Sequence, residues 1–454
     1  MRLTLLAVLL CLLTLAQGCA SETPAEHAAN VYAAQEMAAA PPHGNLPDYT
    51  LSPEKLAKAQ HLETIRTTAT IMGTVWGILQ LILLLWLGAI GWMRDKALAA
   101  GTGLRAKGKF KSAAWTEAFV FALLYLAAGT LLDLPQTLYL HHISLLYGFS
   151  IQSWAVWVGD QAKSFAIGWI VTGGIFLLLY WVIRTFPHRW WLVFWVTLGP
   201  LIIFGTFITP LVIDPLFNKF EPLEKTQPEL VKRLQQVVAK GNVDIPADRM
   251  FLMKASAKTT TLNAYVTGFG SSKRLVLWDT SLAKFTPDEL LVVFGHESGH
   301  YVLGHIASGT IAGFLGLFVV LFAGFHAVRW VLHRFGKAWK IPSQEDWGAL
   351  AVLSLAVAIF SAVCQPITQS YIRTHEHAAD VYGQEVVHGL VANPQDAAKG
   401  AFDILGEAVL EDPNPNPIIE VWQYSHPATG RRAAFAHAYN PWADGMEPKY
   451  FKKQ

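Results

Sequence analysis

Long apolar runs punctuate this chain, at about 67–93 (ending LILLLWLGAIGWM), 113–135, 165–183, 190–213, 302–325 and 347–371. Each approaches the ~20 residues that carry a helix across the hydrocarbon core of a bilayer. The pattern predicts a mainly α, polytopic membrane protein with about six transmembrane helices, four within 67–213 and two within 302–371. Two polar stretches, 214–301 and 372–454, separate and follow these groups, and any water-soluble chemistry belongs there.

One more apolar run opens the chain. Arg2 is followed by Leu3–Ala16 and then by small residues, so 1–20 reads as a signal peptide or a short anchor, a seventh membrane helix if retained. The LAQGC ending at Cys19 loosely resembles a bacterial lipoprotein cleavage box, with leucine one place early. Residues 21 to about 50 are rich in Ala, Pro, Glu and His without a period, so 21–66 is expected to be an extracytoplasmic arm.

Composition agrees with the membrane reading: 53% of the 454 residues are hydrophobic, 17 are Trp, and the mean hydropathy is +0.33. Lys+Arg number 35 against 33 Asp+Glu, a balance that gives no reason to expect nucleic acid. Three cysteines, Cys11, Cys19 and Cys364, build neither a disulfide framework nor a thiolate metal site. The distribution of charge says more than its total. Arg94, Lys96, Arg105, Lys107, Lys109 and Lys111 crowd the loop 94–112, whereas 136–164 carries only Lys163. By the positive-inside rule the former is cytoplasmic. Alternation then puts the turn at RTFPHR and the basic residues Arg329, Arg334, Lys337 and Lys340 on the same side, and 214–301 and 372–454 outside.

The chemistry begins with TPDELLVVFGHESGH. Thr286 as N-cap, Pro287 at the first helical position and Glu289 three residues after the cap predict a helix start. Residues four apart on a helix differ by only ~40°, so His296 and His300 aim their imidazoles at one place, as two ligands of a zinc ion must. Glu297 stands one step round, near enough to reach a metal-bound water without ligating. His305, five residues past His300, reads as an interfacial histidine rather than a ligand. A third ligand is available in YIRTHEHAADVYGQE, where Glu376 and Asp380 share a helical face with Arg373. One carboxylate there can ligate while the other orients a histidine. His375 and His377 compete with Glu376 on spacing alone.

HESGH followed by RTHEHAAD resembles the H-E-x-x-H and R-x-x-E-x-x-A-D pair of the membrane-embedded gluzincin metallopeptidases, the family containing the type I CAAX prenyl protease. TPLVIDPLFNKFEPLE, NAYVTGFGSSKRLVLWDT and YSHPATGRR resemble further segments of that family, in the same order, over roughly residues 50–435. The resemblance implies a gluzincin-like catalytic region of helices with a small β-hairpin or sheet, holding one Zn2+ per chain. His296, His300 and Glu376 would be its ligands and Glu297 the general base. Asp380 and Arg373 would support the ligands from behind, His426 would hydrogen-bond the oxyanion, and Asn263 with Ala264 would hold substrate backbone. Leu262 and Ile372 depart from the family, which favours serine at both places.

A membrane-integral zinc metalloendopeptidase is therefore expected, acting on peptides or proteins of the membrane or envelope. Its surroundings would be a bacterial inner membrane with the catalytic side facing the periplasm. Cleavage of lipidated peptides in the manner of a CAAX prenyl protease is the alternative, followed by zinc-dependent hydrolysis of another amide or lipid-linked substrate. A purely structural membrane scaffold would have no use for Glu297 beside a full ligand set.

Overall fold

The computed structural model describes residues 49, 51–106, 113–268, 273–443 and 445–452. The leader-like segment, Cys19 and most of the expected arm lie outside them. Among the described residues, seven helices make up the apolar part: α1 (Pro53–Trp86), α2 (Ala89–Ala106), α3 (Ala114–Leu146), α4 (Trp154–Thr185), α5 (Trp190–Ile208), α8 (His305–Trp339) and α9 (Ala349–Val387). All but α2 are long and apolar enough to cross a membrane, α5 by running on to Phe217 through a π turn at Thr209–Ile213. That turn carries Pro210, which has no N–H to give the helical ladder. Only 6% to 33% of each apolar window is buried in the protein, as suits helices whose apolar surface is not all spent on a protein core.

The six expected spans are present, and the boundaries differ where amphipathic segments extend them. Ser52 caps α1 with its hydroxyl and Pro53 begins it, well before the apolar run at 67. The first turns of α1, expected in the arm, bury Ala59 and Leu62 and pair Lys55 with Glu407. The run 67–93 is interrupted at Gly88, whose φ of +73° lets the chain turn into α2. The expected basic loop is thus helical as far as Ala106, because α2 buries Ile90, Met93 and Ala97 in the core shared with α3.

Contacts sort the span ends into two groups. At one end Trp347 donates to Glu117, Arg94 to Asp346, Arg184 to the Glu345 carbonyl and Trp190 to Gln344. The first turns of α4 and the segment after α5 meet at the other end, where Lys258 bonds both Asp160 and the Phe217 carbonyl. The two polar stretches gather at this second end, around one core that includes Leu234, Leu252, Leu277, Leu291, Phe294, Tyr382, Val386 and Phe402.

Within that region β1 (Phe220–Pro222), β2 (Met250–Met253), β3 (Ala264–Thr267) and β4 (Arg274–Trp278) form a sheet in the order β1-β2-β4-β3. β3 and β4 are the expected antiparallel hairpin, Ala264 opposite Leu277, and β3 is an edge strand. α7 (Pro287–Val302) packs against β3 and α6 (Pro228–Lys240) against α7, and α10 (Pro394–Val409), α11 (Pro417–Gln423) and α12 (Thr429–Ala438) follow α9.

Candidate metal centre

α7 begins as its sequence requires. The Thr286 hydroxyl accepts from the Glu289 N–H while the Glu289 carboxylate accepts from the Thr286 N–H. It ends after Val302, where Gly304, at φ +70°, turns the chain before α8. α7 therefore does not run on into the span. It crosses α9 instead, at glycines: a Cβ on Gly383 would lie 2.7 Å from the His296 backbone nitrogen, and one on Gly295 would lie 2.9 Å from the Gly383 carbonyl oxygen. Gly383 shares a helical face with Glu376 and Asp380, at i, i+4 and i+7. The close crossing brings that face against His296 and His300.

Ligand atoms of His296, His300 and Glu376 lie within 4.8 Å of one another. The two Nε2 atoms are 3.1 Å apart, and Oε2 of Glu376 is 3.3 Å from the first and 3.6 Å from the second. Nδ1 of His296 faces Oδ1 of Asp380 at 2.8 Å, so the imidazole in its neutral form presents the lone pair of Nε2 to this point. Asp380 is fixed in turn by Arg432, whose guanidinium spans both its oxygens at 2.7 and 2.8 Å. Burial opposes charge on His296, yet Asp380 and Glu376 overcome it and raise its pKa to about 10. A site that draws a proton onto a buried imidazole also favours a metal cation, and converging nitrogen and carboxylate lone pairs suit one of borderline softness.

The structure separates the three competitors for third donor. Glu376 joins the histidine pair, whereas His375 stacks on His305 with ring centroids 4.2 Å apart and His377 lies against Phe435. Arg373 does not touch the cluster. It donates to the carbonyls of Glu420, Val421 and Tyr424 and so secures the end of α11. Two residues gain a place that spacing did not give them. His305 puts Nδ1 3.0 Å from Nδ1 of His300, making it that histidine's outer partner. Arg432 holds Asp380 across 52 residues of chain; a buried acid in the sequence calls for such a cation but does not name it.

A cleft of about 370 Å3 opens onto the cluster, lined by Asn263, Ala264, His296, Glu297, Phe402 and His426 among others. Burial pushes the Glu297 carboxyl above its usual range, against the pull of His296 and His300. His426 is half exposed; its Nε2 is 2.9 Å from Oε2 of Glu376 and its Nδ1 2.8 Å from the Ser425 hydroxyl. Asn263 is held through its backbone, which bonds the Ser281 hydroxyl in both directions.

These features define a candidate metal site on a pair of crossing helices at one end of a bundle of membrane-length helices, and comparison with known proteins identifies the family. Residues 35–219 match the profile of the CAAX prenyl protease N-terminal region with five membrane helices, and 224–440 match peptidase family M48. The "Uncharacterized metalloprotease YhfN" of Bacillus subtilis is 35% identical over 325 residues, 71% of this chain and 73% of that protein. "CAAX prenyl protease 1" of Saccharomyces cerevisiae is 28% identical over 331 residues, 70% and 71% of the two chains. The crystal structure of S. mikatae Ste24p superposes with a TM-score of 0.71 at 23% identity, covering 92% of this chain and all of that one. The chain belongs to peptidase family M48, as a membrane metalloprotease related to the CAAX prenyl proteases.

Proposed function

We propose that the chain is a zinc metalloendopeptidase that binds one Zn2+ through His296, His300 and Glu376. The observation that carries this reading is the convergence of those three donors beside Glu297 in a cleft bordered by a free sheet edge. Zinc, when bound, supplies a Lewis acid that polarises the scissile carbonyl and acidifies water. The remaining roles fall to the protein. Asp380, itself held by Arg432, keeps His296 in the tautomer that ligates. Glu297 takes the proton of the attacking water and passes it to the leaving amine, a role suited to a carboxyl whose burial favours the protonated form. His426 donates to the oxyanion that develops at the carbonyl, and the chain at Asn263–Ala264 aligns the substrate as an added strand beside β3.

We take the substrates to be peptides of membrane or envelope proteins. The polar stretches 214–301 and 372–454, the two parts of this catalytic region, then face the periplasm of a bacterial inner membrane. Support comes from the basic residues on the opposite loops and from the leader-like N-terminus. The CAAX prenyl protease named among the relatives favours lipidated peptides as the second reading. Glu297→Gln is the decisive variant: it should bind zinc at the wild-type stoichiometry and cleave no peptide, and normal turnover would remove Glu297 from the mechanism.

A further inference from the structure

If His426 is to donate to an oxyanion its ring must be held, and most of the surrounding fold holds only its backbone. Before it in the chain, Gln369 donates to the Gln423 carbonyl at 2.8 Å and Arg373 to the Tyr424 carbonyl at 2.6 Å. After it, the Ala428 N–H donates to Glu420 at 3.1 Å and the Thr429 N–H to Glu411 at 2.8 Å. Pro427, which is buried, restricts the His426 backbone further. None of these contacts reaches the imidazole, and the His426 side chain is 48% exposed. A side chain so open to water would turn freely unless something else oriented it.

Two contacts orient the ring. Nε2 lies 2.9 Å from Oε2 of Glu376, and Nδ1 lies 2.8 Å from the Ser425 hydroxyl. A carboxylate oxygen only accepts, so Nε2 carries the hydrogen. In the neutral ring Nδ1 then offers only a lone pair, and the Ser425 hydroxyl is the donor. This is the one neutral tautomer that can hydrogen-bond an oxyanion through Nε2. Glu376 also faces both His296 and His300, and as a metal ligand it would be engaged there. Ser425 is then the partner that the ring keeps. Among the described residues its hydroxyl has no other hydrogen bond, and it stands in the wall of the cleft.

We propose that Ser425 is a positioning residue for the reaction: its hydroxyl, donating to Nδ1, keeps His426 in the tautomer and orientation that present Nε2–H to the scissile carbonyl. The inference rests on the peptidase reading and on the place of His426 in it. Ser425 acts through the ring and not on the substrate.

Because the neighbouring backbone is secured by other residues, Ser425→Ala should fold and bind zinc as the parent does. Its kcat should fall ~5–10-fold with KM unchanged, the loss of one neutral hydrogen bond felt only as the oxyanion forms. Binding of a phosphinic peptide, whose tetrahedral anion resembles that state, should weaken by the same factor. Ser425→Thr, which keeps a hydroxyl, should recover most of both. In a His426→Phe background Ser425→Ala should cause no further loss, since no imidazole is left to hold. Equal kcat for Ser425→Ala and the parent overturns the proposal. So does a raised KM at unchanged kcat, which would mean that the hydroxyl binds substrate, and so does a loss that persists beside His426→Phe. If the unsubstituted enzyme cut no peptide, the peptidase reading would fall and take the proposal with it, whereas an active parent beside an unimpaired Ser425→Ala ends the proposal alone.

Discussion

Gly383→Ala tests whether the metal centre depends on the crossing of α7 and α9. A methyl group there would sit 2.7 Å from the His296 backbone nitrogen and 3.0 Å from its Cα, and an ordinary contact begins near 3.4 Å. Backbone atoms cannot rotate away, so the helices must part by ~0.7 Å at the crossing, whereas metal–ligand distances tolerate only ~0.2 Å. Glu376 rides on the same face of α9 and moves with it. Alanine is the better helix former by ~1 kcal/mol, but overpacking costs typically ~1–3 kcal/mol, so the net effect on stability is a loss of ~0–2 kcal/mol. The larger effect should fall on metal affinity, by ~10–100-fold, the range seen when a supporting contact of a ligand is lost. Competition with a chromophoric chelator measures affinity, and denaturant unfolding measures stability. Gly313→Ala in α8 is the control, because nothing lies within 4 Å of the added methyl group. Gly383→Ala indistinguishable from Gly313→Ala in both measurements would refute the reasoning.

Three further outcomes follow from contacts described above. His305→Phe should weaken metal binding ~10-fold by removing the partner of His300, and His305→Gln, which keeps an acceptor, should recover part of it; equal affinities in chelator competition would return His305 to packing alone. Arg432→Met strands the buried Asp380 carboxylate and should destabilise the protein by ~3–5 kcal/mol in denaturant unfolding, with Arg432→Lys a poor rescue because it lacks the two-pronged fork. In intact cells an impermeant thiol reagent should modify Glu229→Cys and spare Lys337→Cys in a chain with its three native cysteines replaced; the opposite pattern would put the catalytic end in the cytoplasm.

Much of this architecture is legible along the chain because it is local. An apolar run of ~20 residues has one stable home, Thr286 and Glu289 lie within one turn, and His296 and His300 share a face whatever surrounds them. Legibility stops where a partner is remote. Glu376, His375 and His377 are equivalent by spacing, and the crossing at Gly295 and Gly383 selects between them. The early start of α1 depends on burying Leu62 and pairing Lys55 with Glu407, 352 residues away. Arg432 and His305 are found through the side chains they touch. The family resemblance supplied the third donor before the geometry did, whereas the place of Arg373 under α11 came from the structure alone.

Glu385 lies at the end of α9, wholly buried, and its carboxylate gathers the Tyr439 hydroxyl and the backbone N–H groups of Lys449, Tyr450 and Phe451. The last turn of the helix that bears Glu376 is thus closed by residues far downstream. A shortened chain ending before Lys449 would leave that carboxylate with one hydroxyl partner, a defect on the scale of a broken buried ion pair, ~3–5 kcal/mol. During synthesis the helix would reach the membrane with its final turn still open, and the centre would become rigid only when the tail arrives. For anyone preparing the protein, an affinity tag belongs beyond Lys452, and trimming the C-terminus to the family boundary near 440 removes part of the catalytic scaffold.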